Sequence, residues 1–256
     1  MKIGTITFHW ATNYGAVLQA YALQQHLKLN NYETEIINYI PLRVKLIQNI
    51  KRIKNQEIHE FIKEIKLKRF IKQSLTLSRK TYYTNSCLKK KCHKYDVYIC
   101  GSDQVWNESF ALFAEGRPTL SYYLNFVKND KQRISYATSF GTDKLSSKVA
   151  NLVKPELEKF KSISVRENTG KSIIENLNLQ ARIGVDPTLL VEREIYESLF
   201  KNRKVKDTYQ LFSYILRKNQ SMAHTITDYV FNRYFDIIED RKYAQEPLEI
   251  YEWLYN

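Results

Sequence analysis

The sequence predicts an α/β fold built on a Rossmann-like parallel sheet, on three observations. A β-branched run at 2–8 is followed by a polar loop and then by apolar residues at helical spacing from Gly15 to Leu27. A second apolar run, Thr34 to Tyr39, reads as a strand that Pro41 ends. Strands and helices alternate again after residue 95. A strand, a helix and a second strand form the right-handed βαβ unit from which doubly wound sheets grow.

The remaining elements follow from shorter patterns of the same two periods. Apolar runs bounded by turn residues predict five more strands, at 96–100, 122–126, 134–139, 162–166 and 182–185. Helical spacing predicts helices at 147–160 and 170–177, and the charged stretch 192–207 reads as a surface helix and linker. We therefore expect one α/β lobe that ends near residue 206.

The last residues, 207–256, are expected to begin a second Rossmann-like lobe with a strand at 209–215. A segment this short makes a poor independent core. We therefore predict an incomplete, truncated second lobe.

Positive charge is concentrated in one segment. Residues 41–94 contain 16 Lys and Arg and three acids, so this segment alone has the net charge of +13 that the whole chain shows. Its apolar residues recur at helical spacing, which predicts one or two amphipathic helices inserted into the lobe. Three interpretations remain open: a solvated face over a packed stripe, a contact with the anionic membrane surface, or a nucleic-acid interface. No recognised nucleic-acid module is present, and we do not expect nucleic acid as a partner.

Composition indicates a folded cytoplasmic protein. Hydrophobic residues make up 43% and charged residues 26% of the chain, and neither a membrane-spanning stretch nor a signal peptide is visible. Three cysteines form no CxxC pair and fit a reducing compartment. Cys87, Cys92 and His93 resemble the start of a metal site, but a fourth ligand is not evident, so ordinary thiols are the favoured interpretation and no metal is predicted.

Unusual polar residues follow the carboxyl ends of five predicted strands, and these ends meet at one edge of a parallel sheet, where α/β proteins bind ligands. After the first strand, the loop from His9 leads to Asn13, Tyr14 and Gly15 at a helix start, which favours a phosphate or carboxylate. Asn13 as a simple helix cap is an equally good interpretation. His9 is a candidate for proton transfer, or a packed residue at a strand end.

The third strand is followed by Gly101, Ser102, Asp103 and Gln104. A glycine for close approach, a hydroxyl, a carboxylate and an amide in a row favour a binding loop, with Asp103 as a candidate acid or base. Trp106 offers a flat surface on which a sugar could stack, and Asn107 follows it. The competing interpretation is a turn that caps a helix and buries Trp106.

Three further strand ends complete this edge, with Ser139, then Arg166 and Glu167, then Asp186. The guanidinium of Arg166 is suited to grip a carboxylate or phosphate with two parallel hydrogen bonds. An ion pair with a neighbouring acid is equally consistent with its position. Asp186 and Pro187 read first as a turn that closes the lobe.

Five blocks in this order resemble the polysaccharide pyruvyl transferase family, over most of the chain. The blocks are 13–23 (NYGAVLQAYAL), 101–107 (GSDQVWN), 135–141 (SYATSFG), 163–167 (ISVRE) and 186–190 (DPTLL).

The resemblance implies two Rossmann-like lobes facing each other across a cleft, as in one common glycosyltransferase architecture. It also implies transfer of a pyruvyl group from phosphoenolpyruvate to two hydroxyls of a glycan or lipid-linked sugar, in surface polysaccharide biosynthesis. No metal or nicotinamide is implied. The protein would work in the cytoplasm, with possible contact at the inner membrane face.

Carried over to this chain, the resemblance assigns Arg166 to the donor's carboxylate or phosphate. Asn13, Tyr14 and Gly15 would line the cleft, with Gly101, Ser102, Gln104, Trp106 and Asn107 beside them. Asp103 and His9 are the candidates for proton transfer. Family members also have a Ser-Phe-His-Gly-like stretch that this sequence lacks, so the alternative is an inactive relative that binds a sugar or a partner.

Overall fold

The computed structural model describes residues 1–47, 58–109 and 112–199 of the chain. Its centre is a parallel sheet in the order β2-β1-β3-β4. The four strands are Lys2–Ile6 (β1), Glu33–Ile36 (β2), Val97–Cys100 (β3) and Gln132–Ser135 (β4). Two short strands, Ser164–Val165 (β5) and Arg182–Ile183 (β6), pair with each other in parallel. Bridges of Ile134 with Ser162 and of Thr138 with Val165 join β5 to β4, so the order continues as 2-1-3-4-5-6.

Within the described residues, six helices whose bounds are fully described connect or cover these strands. They are Tyr14–Leu29 (α1), Ile58–Ser74 (α2), Asn85–Lys91 (α3), Ser147–Leu157 (α4), Asn168–Asn176 (α5) and Arg193–Glu197 (α6). Residues 42–47 are also helical, and 3-10 turns lie at Ser121–Tyr123 and Pro187–Leu189. The prediction of a Rossmann-like parallel sheet is confirmed.

The two faces of the sheet are covered by different helices because successive strand residues point to opposite sides. On one face, Val97 and Ile99 of β3 pack with Leu23 and Leu27 of α1. On the other face, Tyr98 and Cys100 belong to a larger core that includes side chains of α3, α4 and α5. All four residues of β3 are buried, as expected for the central strand of a doubly wound sheet.

One predicted strand is absent. Residues 122–126 contain a 3-10 turn followed by Leu124 in the left-handed region (φ 54°). Tyr122, Tyr123 and Leu124 are all buried, under Trp106 and Tyr39. A short run that is apolar throughout shows no alternation, so the sequence could not distinguish a strand from a buried turn.

The basic segment is not a separate insertion but returns to the sheet. Helix α2 packs Leu67 and Phe70 against α1, and the chain then runs parallel to β2, with bridges from Ile36 to Leu77 and from Tyr39 to Tyr82. The predicted amphipathic helices correspond to residues 42–47 and to α2, and residues 48–57 between them lie outside the described residues. The basic residues therefore lie on elements that pack into the lobe's own core.

Two further expectations concern the chain's ends and the membrane. The predicted lobe boundary at residue 206 and the second lobe at 207–256 lie outside the described residues. Within the described ranges, none of the helices combines the length and the apolar character that a bilayer crossing requires.

Candidate functional site

The sheet has the flavodoxin-like strand order, in which the connections leave β1 and β3 in opposite directions. A crevice opens at such a point, outside the carboxyl ends of the two strands. Thr7 and Gly101 lie there, directly after β1 and β3. A Cβ added to Gly101 would meet Thr5 and Thr7 side-chain atoms at 3.1 Å, a tight contact that glycine avoids where the two strand ends approach each other.

A buried chain of hydrogen bonds joins α1 to both strand ends. Gln19 of α1 donates through Nε2 to Thr7 Oγ1 at 2.9 Å, and Thr7 Oγ1 donates to the carbonyl of Ser102 at 2.8 Å. The hydroxyl of Ser102 is fully buried and has no hydrogen-bond partner among the described residues. Because an unpaired buried hydroxyl costs free energy, Ser102 is a group that a bound ligand could satisfy.

Asp103 is the most unusual residue of this edge. Its backbone lies in the left-handed region (φ 84°), and its carbonyl accepts hydrogen bonds from Val105 and Ser139. Burial raises the pKa of the Asp103 carboxyl, and the charge of Asp186 adds to the rise. A hydrogen bond from the backbone N–H of Gln104 and the charge of Arg166 act in the opposite direction without cancelling it. Backbone strain and a raised pKa in one residue are typical of functional sites.

Arg166 lies beside Asp103 because β3, β4 and β5 are neighbours. Asp103 bridges Thr138, and the carbonyl of Thr138 accepts a hydrogen bond from Arg166 N at 2.9 Å. The guanidinium donates through Nε to Glu167 at 3.1 Å and through Nη1 to Asp186 at 3.0 Å. We call Asp103, Arg166, Glu167 and Asp186 the Arg166 cluster. Burial alone would lower the pKa of Arg166, but the charges of Glu167 and Asp186 raise it.

The charge of this cluster is unbalanced, with one guanidinium against three carboxyls. Asp186 is itself fixed, since its Oδ1 accepts from the Thr188 N–H at 3.0 Å and from the Thr188 hydroxyl at 2.8 Å. Nη2 of Arg166 has no hydrogen bond to any described residue. The cluster therefore holds a fixed arginine that still has a free donor, and a carboxyl whose surroundings favour the protonated form.

A second polar group packs beside the cluster. Gly141 has φ 62°, and a Cβ on it would lie 2.7 Å from the Gln104 side chain and 2.8 Å from Asn107 Nδ2. Ser139 is buried, and its hydroxyl accepts from Gly141 N at 3.1 Å. The predicted residues Gln104, Asn107 and Ser139 thus form one compact shell around the loop that follows β4.

His9 is not part of this arrangement. It is 1% exposed, and its ring nitrogens lie 3.2 Å from the carbonyl of Thr7 and 3.2 Å from Oδ1 of Asn38, beyond the end of β2. That position is on the opposite side of β1 from the Arg166 cluster. Burial lowers the pKa of His9 and favours the neutral ring. We therefore correct its assignment from proton transfer to packing at the strand end.

Tyr14 and Trp106 are also core residues. Tyr14 is buried between α1 and α2, in the cluster with Tyr21, Leu67 and Phe70. Trp106 is fully buried, its ring stacked on Tyr123 with centroids 5.5 Å apart, and its Nε1 donates to the carbonyl of Tyr122. Neither ring presents a face to solvent, so we correct both from cleft-lining residues to parts of the core.

Both interpretations of the start of α1 stay open, a simple helix cap and a site for a phosphate or carboxylate. Asn13 caps the helix through Oδ1, which accepts from Ala16 N at 3.2 Å. Asn13 and Gly15 are both exposed and flank this cap. They lie at the carboxyl edge, and among the described residues neither forms a hydrogen bond with the Arg166 cluster.

The described ranges contain no group of three or more His, Cys, Asp or Glu that could hold a metal ion. Cys92 is buried, and burial raises the pKa of its thiol to about 12. All three cysteines are free thiols.

Sequence reasoning missed the role of Asp186. We interpreted Asp186 and Pro187 as a closing turn, and Asp186 does form that turn while also binding Arg166. The available signal was its position three residues after β6, the neighbour of β5. Gln19 and Thr7 gave no signal, because a threonine in a strand and a glutamine in a helix are ordinary residues.

The fold and the cluster define an α/β protein with a polar site at the carboxyl edge of a doubly wound sheet. Comparison with known families gives a match to the polysaccharide pyruvyl transferase model over residues 13–255. This chain belongs to the polysaccharide pyruvyl transferase family. Searches of curated proteins and of solved structures gave no match.

Proposed function

We propose that the protein transfers a pyruvyl group from phosphoenolpyruvate to two hydroxyls of a sugar in a surface polysaccharide or its lipid-linked precursor. The donor's methylene carbon takes up a proton, which leaves an oxocarbenium-like carbon beside the carboxylate. One sugar hydroxyl adds to that carbon and loses its proton to a base. A second hydroxyl then displaces phosphate, its proton passes to the departing phosphate, and a cyclic ketal closes.

The observation that supports this proposal most directly is that Asp103 and Arg166 lie close together, both held by the backbone of Thr138. An acid that protonates carbon near neutral pH must hold its proton, and burial raises the pKa of Asp103 in that direction. Once it has donated, the ionised carboxylate is the base for the first hydroxyl. A single residue thereby supplies the acid and the base in succession.

Arg166 would bind the donor's carboxylate or phosphate through its free Nη2, while Asp186 and Glu167 hold the fork in place. The buried hydroxyl of Ser102 and the amides of Gln104 and Asn107 are suited to contact sugar or phosphate oxygens. Asn13 and Gly15 would line the same cleft from the start of α1.

The experiment is to incubate the full chain with phosphoenolpyruvate and a panel of hexosides that carry free neighbouring hydroxyl pairs. Phosphate release that depends on the acceptor, with a pyruvyl ketal found on the sugar by mass spectrometry, is the expected result. Asp103→Asn should lower the rate by about 10²- to 10⁴-fold, the range for loss of a general acid. Lys161→Gln, an exposed residue at the other edge of the sheet, should leave the rate unchanged.

One observation favours a second candidate, an inactive relative that binds a sugar. The Arg166 cluster has three carboxyls for one guanidinium, and this balance repels a highly charged donor while carboxylates bind sugar hydroxyls well. A folded chain that binds hexosides in calorimetry, yet releases no phosphate from phosphoenolpyruvate with any acceptor, would establish this alternative.

A further inference from the structure

Exposed apolar side chains interleave with basic ones on the helical residues 42–47. Leu42 is 46% exposed, Leu46 is 53% exposed and Ile47 is 40% exposed. Leu42 and Leu46 are four residues apart and share one face of the helix. Arg43 and Lys45 are exposed between them. Leucines exposed on neighbouring turns beside cations are typical of helices that lie in a membrane interface.

A second loop extends this surface. Arg43 donates to the carbonyl of Phe113 at 3.5 Å, and its Cδ lies 3.6 Å from the position of a Cβ on Gly116. Phe113 is itself 38% exposed, and Arg117, four positions further along the same loop, is exposed too. We call Leu42, Arg43, Leu46, Ile47, Phe113 and Arg117 the apolar–basic patch.

The acid in this region does not neutralise the patch. Glu115 directs its carboxylate to the protein interior, where Oε1 accepts from Tyr39 at 2.6 Å and from Asn85 N at 2.6 Å. Lys45 places its ammonium 4.3 Å from the Tyr83 ring, a contact that leaves its charge in place. The exposed charge of the described patch is therefore positive.

The patch lies at the carboxyl edge of the sheet. The helical residues 42–47 come shortly after β2, and the loop 112–117 comes after β3. Because both strands run parallel, both segments leave the sheet at the edge that also holds the Arg166 cluster. A partner bound there would lie at the same edge of the sheet as the candidate active site.

We propose that the apolar–basic patch docks on the surface of an anionic phospholipid bilayer. Leu42, Leu46 and Phe113 enter the boundary between headgroups and acyl chains, and Arg43 and Arg117 contact lipid phosphates. Exposed leucines and a phenylalanine argue against a nucleic acid as the partner, because such surfaces contact phosphates with basic and polar groups. The inference is independent of the proposed transfer reaction, since it uses none of its residues.

The test is flotation of the full chain with vesicles of phosphatidylcholine alone or of phosphatidylcholine mixed with phosphatidylglycerol. The expected result is binding to the anionic vesicles only, weakened by salt. The double variant Leu42→Ser and Leu46→Ser should bind about tenfold more weakly, because two half-exposed leucines lose their insertion. Leu29→Ser is the matched control: Leu29 is 58% exposed at the end of α1, on the opposite edge, and its variant should bind as the wild type does.

Charge reversal separates the two contributions. Arg117→Glu should weaken vesicle binding severalfold, whereas Lys161→Glu at the opposite edge should have little effect. Circular dichroism checks that each variant is folded. The proposal is overturned by absence of binding to anionic vesicles, by equal binding to neutral ones, or by equal effects of the patch variants and their controls. Binding to mixed-sequence DNA that is tighter than to vesicles, and unchanged by the leucine replacements, would also overturn it.

Discussion

The carboxyl groups at the two ends of strand β3 lie in different electrostatic surroundings, one at each edge of the sheet. Asp96 precedes the strand, and a hydrogen bond from Lys2 N at 2.8 Å lowers the pKa of its carboxyl. Asp103 follows the strand, and burial raises the pKa of its carboxyl. Two aspartates seven positions apart are therefore shifted in opposite directions.

The neighbouring charges follow the same contrast. At the amino edge, Lys2 pairs with Glu33, Lys94 with Glu35, and Lys131 with Asp96, so each acid has a cation. At the carboxyl edge, Arg166 forms ion pairs with two carboxylates, Glu167 and Asp186, and Asp103 nearby has a left-handed backbone and no ion pair with any described residue. Selection for stability alone does not retain such an arrangement, which is why we assign function to this edge.

The largest expected effect is on catalysis. Arg166→Ala removes the only described guanidinium of the Arg166 cluster and should lower kcat/KM for phosphoenolpyruvate by about 10³-fold, since losing a charged contact costs roughly 2–5 kcal/mol. Steady-state kinetics with phosphate release as the readout measures it.

The matched control for that variant is Arg182→Ala, an exposed arginine at the start of β6 on the opposite edge, which should leave kcat/KM unchanged. Equal losses in the two variants would show that the contrast between the edges has no catalytic meaning.

A smaller effect concerns the packing of the site. Gly141→Ala should destabilise the protein by about 2–4 kcal/mol, because it combines left-handed strain with a clash against Gln104 and Asn107. Gly116→Ala is the control, since its φ of 82° gives the same strain but its nearest atom is Arg43 Cδ at 3.6 Å. Denaturant unfolding of both variants isolates the clash, and equal losses would mean that the shell around Gly141 is loose.

The smallest effects are on stability at the two ends of β3, and they have opposite signs. Asp103→Asn should stabilise the fold by an amount on the order of 1 kcal/mol at pH values above the raised pKa of Asp103, because asparagine tolerates the left-handed backbone and has no charge to bury. Asp96→Asn should destabilise it slightly. Thermal unfolding at pH values on both sides of that pKa compares the two variants, and a loss of stability in Asp103→Asn above it would contradict the account.

The pH dependence of stability in these variants gives the sign of each aspartate's contribution independently. Asp103 has a higher pKa in the folded chain than in the unfolded chain, so its contribution to stability is present below the unfolded value and is lost as pH rises through the folded value. Asp96 behaves in the reverse way, and its contribution is lost as pH falls through its lowered pKa. A plot of the free energy of unfolding against pH should therefore be flatter than that of the wild type on the acid side for Asp96→Asn. For Asp103→Asn it should be flatter towards neutral pH.

Periodicity predicted the fold well where local pattern decides it. The strand at 2–6, the helix after Gly15 and the parallel order of the strands follow from apolar spacing and from the βαβ rule. The 3-10 turn at 121–123 did not follow, because its aromatic residues are buried on all sides by distant parts of the chain. Burial of that kind is a tertiary property.

The candidate site likewise has a part that the sequence predicted and a part that it did not. Strand ends of a parallel sheet must meet, so Asp103, Ser139 and Arg166 were predicted to share an edge and do share it. The direction of a side chain after a strand end is not encoded locally. For that reason His9 points to Asn38 and Trp106 into the core, while Asp186 binds Arg166.

The most direct test of the central claim is an NMR titration of the Asp103 and Asp96 side-chain carboxyls in the wild-type protein and in Arg166→Ala. The account predicts that Asp103 titrates at higher pH than Asp96, and that removing Arg166 raises the Asp103 pKa further while leaving Asp96 unchanged. Titration of Asp103 at or below the pH of Asp96, or an Asp103 pKa that does not respond to the loss of Arg166, would contradict it.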